Sequence, residues 1–228
     1  MFIGHFAPAF IAAAHVRNTS KTNAPGLGTF FVAAQLVDFG FFAFTLLGIE
    51  KMRITPGISA MNSMDLYHMP YTHSLLGTLL WGAVFAVLVY LATRHKTASI
   101  WAGLIVLSHW FIDLLVHIPD LTLAGGGDKI GLGLWDCPRI AIPLELALIG
   151  GAIFYYIKLT GQKRGTGRWR LRLLITALLA VQLFNWFAEP PVQFGADMAV
   201  TALAAFAVLA LLAAWTGKSR VHRNRGIM

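Results

Sequence analysis

The stretch TASIWAGLIVLSHWFIDLLVHI, from Thr97 to Ile118, decides the fold. A helix rises about 1.5 Å per residue, so this run crosses a hydrocarbon core about 30 Å thick in one pass. Three of its side chains are nevertheless ionisable: His109, Asp113 and His117. With about 3.6 residues per turn, positions i, i+4 and i+8 share one helix face, so the three can point at a single locus. A charged group at the centre of a membrane helix costs roughly 2.5 kcal/mol or more and normally faces a partner, a metal or water. Histidine and aspartate are metal-ligand types.

The same apolar character extends along the chain. Of 228 residues, 57% are hydrophobic and 12% charged, and the mean hydropathy is +0.67. That composition excludes an ordinary soluble domain of this size. Apolar windows of about 18 to 23 residues, each able to span a bilayer, begin near Leu27, Ser74, Thr97, Ile140, Leu171 and Ala196. The reading is an all-α polytopic transmembrane bundle of six spans, one integral membrane domain over residues 1–228. A seventh apolar piece, Phe2 to Val16, is too short for a comfortable crossing and contains Pro8, which predicts a short N-terminal half-helix. It lacks the basic n-region of a signal peptide.

A formal net charge of +8 would suit nucleic acid if the basic residues formed one patch. Instead they fall between the spans and mark topology. Arg17, Lys21, Arg94, Lys96, Lys158, Lys163, Arg164, Arg168, Arg170, Arg172, Lys218, Arg220, Arg223 and Arg225 share one side, 14 of the 18 Lys and Arg residues. Lys51, Arg53, Lys129 and Arg139 take the other. The positive-inside rule then predicts a cytoplasmic C-terminus, the partners being membrane lipids and no nucleic acid. The glycosylation-like triplet Asn18-Thr19-Ser20 falls on the cytoplasmic side and reads as chance. Cys137, the single cysteine, excludes an intrachain disulfide and a cysteine-rich zinc site.

The longest connections, Glu50 to Met69 and Pro119 to Arg139, belong to the outer face. The first holds Asp65 and His68, then Pro70, suited to the first helical position, with Tyr71, Thr72 and His73 in the opening turns. The second holds Gly125-Gly126-Gly127-Asp128-Lys129, which has neither a preceding strand nor Walker spacing and reads as a flexible turn. Inside the spans lie Asp38 and, one or two turns into the fourth, Glu145, with Glu50 at the end of the first.

Counted from the cytoplasmic boundary at about 1.5 Å per residue, Asp38 lies roughly 15 Å up, His5 and His109 roughly 18 Å, Asp113 roughly 24 Å, and His73 and His117 near 30 Å. This predicts a core of His5, Asp38, His109 and Asp113 with His73 reaching down. His117, His68 and Asp65 would line the site mouth. A lone membrane histidine can also bond a backbone carbonyl or cross-link two helices, worth about 0.6 kcal/mol on average. His15, His95 and His222 read that way, as interface or tail residues.

Gly4-His5, Leu36-Val37-Asp38, Thr72-His73-Ser74, Ser108-His109 with Asp113, and Gly131-Leu132-Gly133-Leu134-Trp135 together resemble bacterial multi-pass membrane proteins labelled membrane-bound metal-dependent hydrolases or permeases. The matching pieces span about the first two-thirds of the chain. The family's Leu-Pro-Asp-Leu-Asp here keeps Asp38 and has Gly40 at the second acid, and its His-Arg-Gly-x-Thr-His-Ser here reads His68-Met69-Pro70-Tyr71-Thr72-His73-Ser74. The resemblance implies that His5, Asp38, His73, His109 and Asp113 bind one or two divalent metals, zinc first, with manganese or iron suiting the same ligands. An unliganded acid, Asp65 or Glu145, would then serve as general base, acting on a small or lipid-like substrate such as a lipid-linked ester. Two other classes stay open: a cation- or proton-coupled transporter, which should show inverted repeats that this sequence lacks, and a structural or assembly protein.

Overall fold

Small residues mark where the helices of the bundle approach most closely. The computed structural model describes residues 1–16, 24–163, 168–189 and 191–223; Arg17, Lys21, Arg164, Arg225 and the Asn18-Thr19-Ser20 triplet lie outside them. A 3-10 turn at Ile3–Phe6 leads into helix α1, Ala7–His15, followed by α2, Leu27–Leu46; α3, Leu75–Thr93; α4, Lys96–Val116; α5, Pro138–Leu159; α6, Trp169–Phe187; and α7, Ala196–Lys218. The last six are each long and apolar enough to cross a membrane. The half-helix is α1, and Pro8 sits in its first turn, where the missing N–H would have no helical acceptor.

Helix α2 is the axis of the bundle, with 61% of its span buried against 22% to 44% for the other five. It packs on α1, α4 and α7. The contact with α7 is close because Gly28 faces Ala214 and the Ala210 carbonyl with no room for a Cβ. Helices α3 and α4 meet at a reciprocal glycine pair: a Cβ on Gly82 would lie 2.9 Å from the Gly103 carbonyl oxygen, and one on Gly103 3.0 Å from that of Gly82. Between helices in lipid, small residues of this kind let backbones approach and gain dispersion contacts. The apolar core gathers around α1, whose Ala7, Ala9, Phe10, Ala12 and Ala14 are buried. Phe6 and Phe31 stack there at 4.4 Å.

Two small antiparallel sheets join the ends of helices. Strand β1, Lys51–Ile54, pairs with β2, Met64–His68; strand β3, Thr160–Gln162, pairs with β4, Arg220–His222. The second pair ties the end of α5 to the chain beyond α7, and His222 Nε2 lies 3.1 Å from the Ala13 carbonyl at the end of α1. Lys158, Lys163, Arg168, Arg170, Arg172, Lys218, Arg220 and Arg223 therefore gather at one end of the bundle.

The start of α3 differs from the sequence expectation. The helix begins at Leu75, not Pro70, because Ser74 caps it by accepting the Gly77 N–H at 3.0 Å, a contact worth about 1 kcal/mol. The Tyr71 and Thr72 N–H groups are diverted to Glu50 Oε1, at 2.8 and 3.0 Å. His73 is consequently held in a turn at the helix mouth.

Candidate metal centre

Helix α4 supplies His109 and Asp113, both buried and one turn apart. Asp38 projects from α2, His73 from the turn before α3, and His5 from the 3-10 turn ahead of α1. Depth counting makes the vertical spread of these residues too large for one site, but the structure brings them together. His109 Nε2 is 3.0 Å from Asp113 Oδ2 and 3.5 Å from Asp38 Oδ1. His73 Nε2 is 3.4 Å from Asp38 Oδ1 and 3.8 Å from Asp113 Oδ2. His5 Nε2 is 3.0 Å from Asp113 Oδ1, and the Met1 amine lies 3.7 Å from the same oxygen.

His117 corrects the expectation of a mouth residue. It is buried, and its Nε2 is 3.5 Å from Asp113 Oδ1. The physical reason is local: the His117 N–H still bonds the Asp113 carbonyl at 2.8 Å and its φ of −64° is helical, so its ring stays on the Asp113 face one turn on, while ψ 144° turns only the chain that follows. His68 is exposed on β2 and shares with Asp120 and Lys129 the lining of an outer recess of about 130 Å³.

The outward-facing nitrogens of three histidines are each tied down. His109 Nδ1 is 2.8 Å from the Ala34 carbonyl oxygen, which can only accept, so Nδ1 carries the proton. Thr72 Oγ1 donates to Glu50 Oε2 at 2.6 Å and is 2.9 Å from His73 Nδ1, so the hydroxyl accepts from that ring. His117 Nδ1 donates to Asp120 Oδ1 at 2.9 Å. In neutral rings these bonds leave all three Nε2 atoms as lone pairs aimed inward, the way a carboxylate or carbonyl orients a metal-binding histidine. His5 is placed differently. Among the described residues its Nδ1 has no partner, and its ring stacks on that of His109 at 3.8 Å and 12°.

The centre of the cluster consequently holds acceptors facing acceptors. Despite their 3.0 Å separation, His109 Nε2 and Asp113 Oδ2 are both buried without a hydrogen-bond partner among the described residues. Either protons or a cation must reconcile them. A cation would compete for the place of such a proton. Two ligands about 2.1 Å from one zinc at a tetrahedral angle are about 3.4 Å apart, and the spacings here run from 3.0 to 3.8 Å. The donor set fits a divalent metal.

The two acids expected as general bases are engaged elsewhere. Glu145 Oε1 accepts the Gly4 N–H at 3.1 Å and Oε2 accepts from Gln182 Nε2 at 3.3 Å, while Gln182 Oε1 takes the Ile3 N–H at 3.2 Å. Glu145 thus clamps the segment that carries His5. Asp65 is held on the β1–β2 hairpin by Arg53 Nε at 2.6 Å. Glu50 and Asp120, which sequence reasoning left without a role, orient His73 and His117; the signals available were an acid closing an apolar helix and the i, i+3 spacing of His117 and Asp120. Gly40 faces Thr72 and Trp81, with Thr72 Cγ2 3.1 Å from where a Cβ would stand, so the glycine leaves room for the residue that holds His73. The other histidines have ordinary partners: His15 the Ile11 carbonyl and Tyr155, His95 the Ala98 N–H at the start of α4, and His222 Ala13.

No family model, curated protein or solved structure matches this chain.

Proposed function

We propose that this chain is a membrane-embedded, metal-dependent hydrolase acting on a lipid-like or lipid-linked ester, in a bacterial inner membrane with its C-terminus cytoplasmic. One observation carries the reading: three histidines whose Nδ1 atoms are tied outward aim Nε2 at two carboxylates in a buried cluster. Asp38, His73, His109 and Asp113 would hold the metal. Zinc comes first, since histidine and aspartate without cysteine suit it. A bound divalent metal lowers the pKa of water and polarises an acyl or phosphoryl oxygen.

The chain's own residues supply the rest. Glu50, through Thr72, fixes the His73 ring. The Ala34 carbonyl does the same for His109. Asp38 is the most open member of the ligand set, its side chain 21% exposed against 1% to 3% for His73, His109 and Asp113. It is therefore the member of the set that an incoming substrate meets first. Its neighbour Phe39 lines an apolar groove of about 470 Å³ between α2, α3 and α7, with Val32, Phe85 and Leu211 among the other walls. That groove suits an acyl chain. The inner-membrane orientation is supported by the basic residues gathered at the β3–β4 end.

The test is metal analysis of the detergent-purified protein, followed by hydrolysis of short-chain phosphatidylcholine and p-nitrophenyl esters in mixed micelles. Stoichiometric metal, and turnover removed by a chelator and restored by zinc, are the expected results. Protein without metal, with His109→Ala unchanged in metal content and turnover, overturns the proposal.

A further inference from the structure

We infer that Asp113 bridges two cations, each of its oxygens serving a different one. The inference rests on the metal-site reading above and extends it to His117 and to a second ion. Oδ2 faces His109 and His73, at 3.0 and 3.8 Å, on the side where Asp38 completes the set. Oδ1 faces His5 and His117, at 3.0 and 3.5 Å. The carboxylate therefore divides four histidines into two pairs.

The imidazole stack has the matching spacing. His5 and His109 lie parallel, 3.8 Å apart and 12° from coplanar, and each presents Nε2 to a different oxygen of Asp113. Ions in two-metal sites that act on esters and phosphates stand about 3.5 to 4 Å apart. Two stacked rings that each ligate one ion hold the ions at this separation. Stacked imidazolium rings would instead oppose like charges at the same distance. The supports behind the rings are divided in the same way: Thr72 with Glu50 and the Ala34 carbonyl serve the Oδ2 side, while Asp120 holds His117 on the Oδ1 side. The rival occupant of the Oδ1 side is the Met1 amine, 3.7 Å from that oxygen.

The site this defines has His73, His109, Asp38 and Asp113 on one ion and His5, His117 and Asp113 on the other. The second ion has fewer protein ligands, which leaves it positions for water or a substrate oxygen.

Equilibrium dialysis of the full-length protein against zinc, read by elemental analysis, tests it. Wild type should bind two ions per chain. His117→Ala and His5→Ala should each keep one, Asp38→Asn and His73→Ala should each keep one, and Asp113→Asn should lose both. Since a variant can fail to fold, manganese loading of wild type gives a second measurement: two exchange-coupled ions are expected by electron paramagnetic resonance, against an uncoupled signal in His117→Ala. One ion per chain at saturation, uncoupled and indifferent to His117→Ala, overturns the bridge and leaves the hydrolase reading standing. No ion at all removes both.

Discussion

His109 Nε2 and Asp113 Oδ2 approach to 3.0 Å, one helical turn apart, and neither has a hydrogen-bond partner among the described residues. Replacing His109 by alanine removes the central histidine of the proposed site, while the Ala34 carbonyl keeps its helical partner within α2. His109→Ala should lose bound metal and turnover together while keeping its helical circular dichroism. A variant that loses turnover but keeps full metal content would show that His109 is not a ligand.

Glu50 never touches the cluster directly, yet its carboxylate gathers the Tyr71 and Thr72 N–H groups and the Thr72 hydroxyl, and that hydroxyl accepts from His73. Removing such a partner of a metal-bound histidine typically weakens metal affinity about 10- to 100-fold. Glu50→Gln should do so in a chelator-competition titration, and Thr72→Val should act in the same direction. Unchanged affinity in both would mean that His73 needs no support from this side.

Glu145 distinguishes a clamp from a base. Its amide isostere keeps an acceptor for the Gly4 N–H and loses part of the Gln182 link, a change of about 1 kcal/mol. Glu145→Gln should retain hydrolysis within a few-fold, whereas Glu145→Leu should lower thermal stability and loosen the His5 segment. Turnover abolished in Glu145→Gln, with metal content intact, would restore Glu145 as the general base.

The Asp65 ion pair involves an Arg53 side chain that is 67% exposed, and pairs of this kind contribute about 0 to 1 kcal/mol. Asp65→Asn should leave metal content and turnover close to wild type. A loss of turnover beyond tenfold would bring the hairpin into the chemistry.

The glycine pair between α3 and α4 sets the position of the helix that carries His109 and Asp113. Gly103→Leu forces those backbones apart, and overpacking of this type costs about 1 to 3 kcal/mol. Its melting temperature in detergent should fall, with metal affinity reduced alongside. An unchanged melting temperature would show that α3 and α4 can separate freely.

The helices were legible because bilayer thickness imposes length and apolarity on every span: windows starting near Leu27 and Ala196 became helices starting at those residues. The β1–β2 hairpin and the β3–β4 pair were not, since short polar strands at helix ends carry too little periodicity to read. Among the site residues, His5, Asp38, His73, His109 and Asp113 could be named from residue type and depth. His117 was misplaced because depth counting set it near the outer boundary, whereas its N–H still bonds the Asp113 carbonyl and its ring stays one turn from Asp113 on the same face. Glu50 and Asp120 act through one intermediate side chain each, and sequence spacing does not show what a hydroxyl or a ring reaches across a turn.

Asp38 gives the cluster a front and a back. With His5, His73, His109, Asp113 and His117 sealed at 5% exposure or less and Asp38 at 21%, any small molecule reaching these residues approaches over one carboxylate on the central helix.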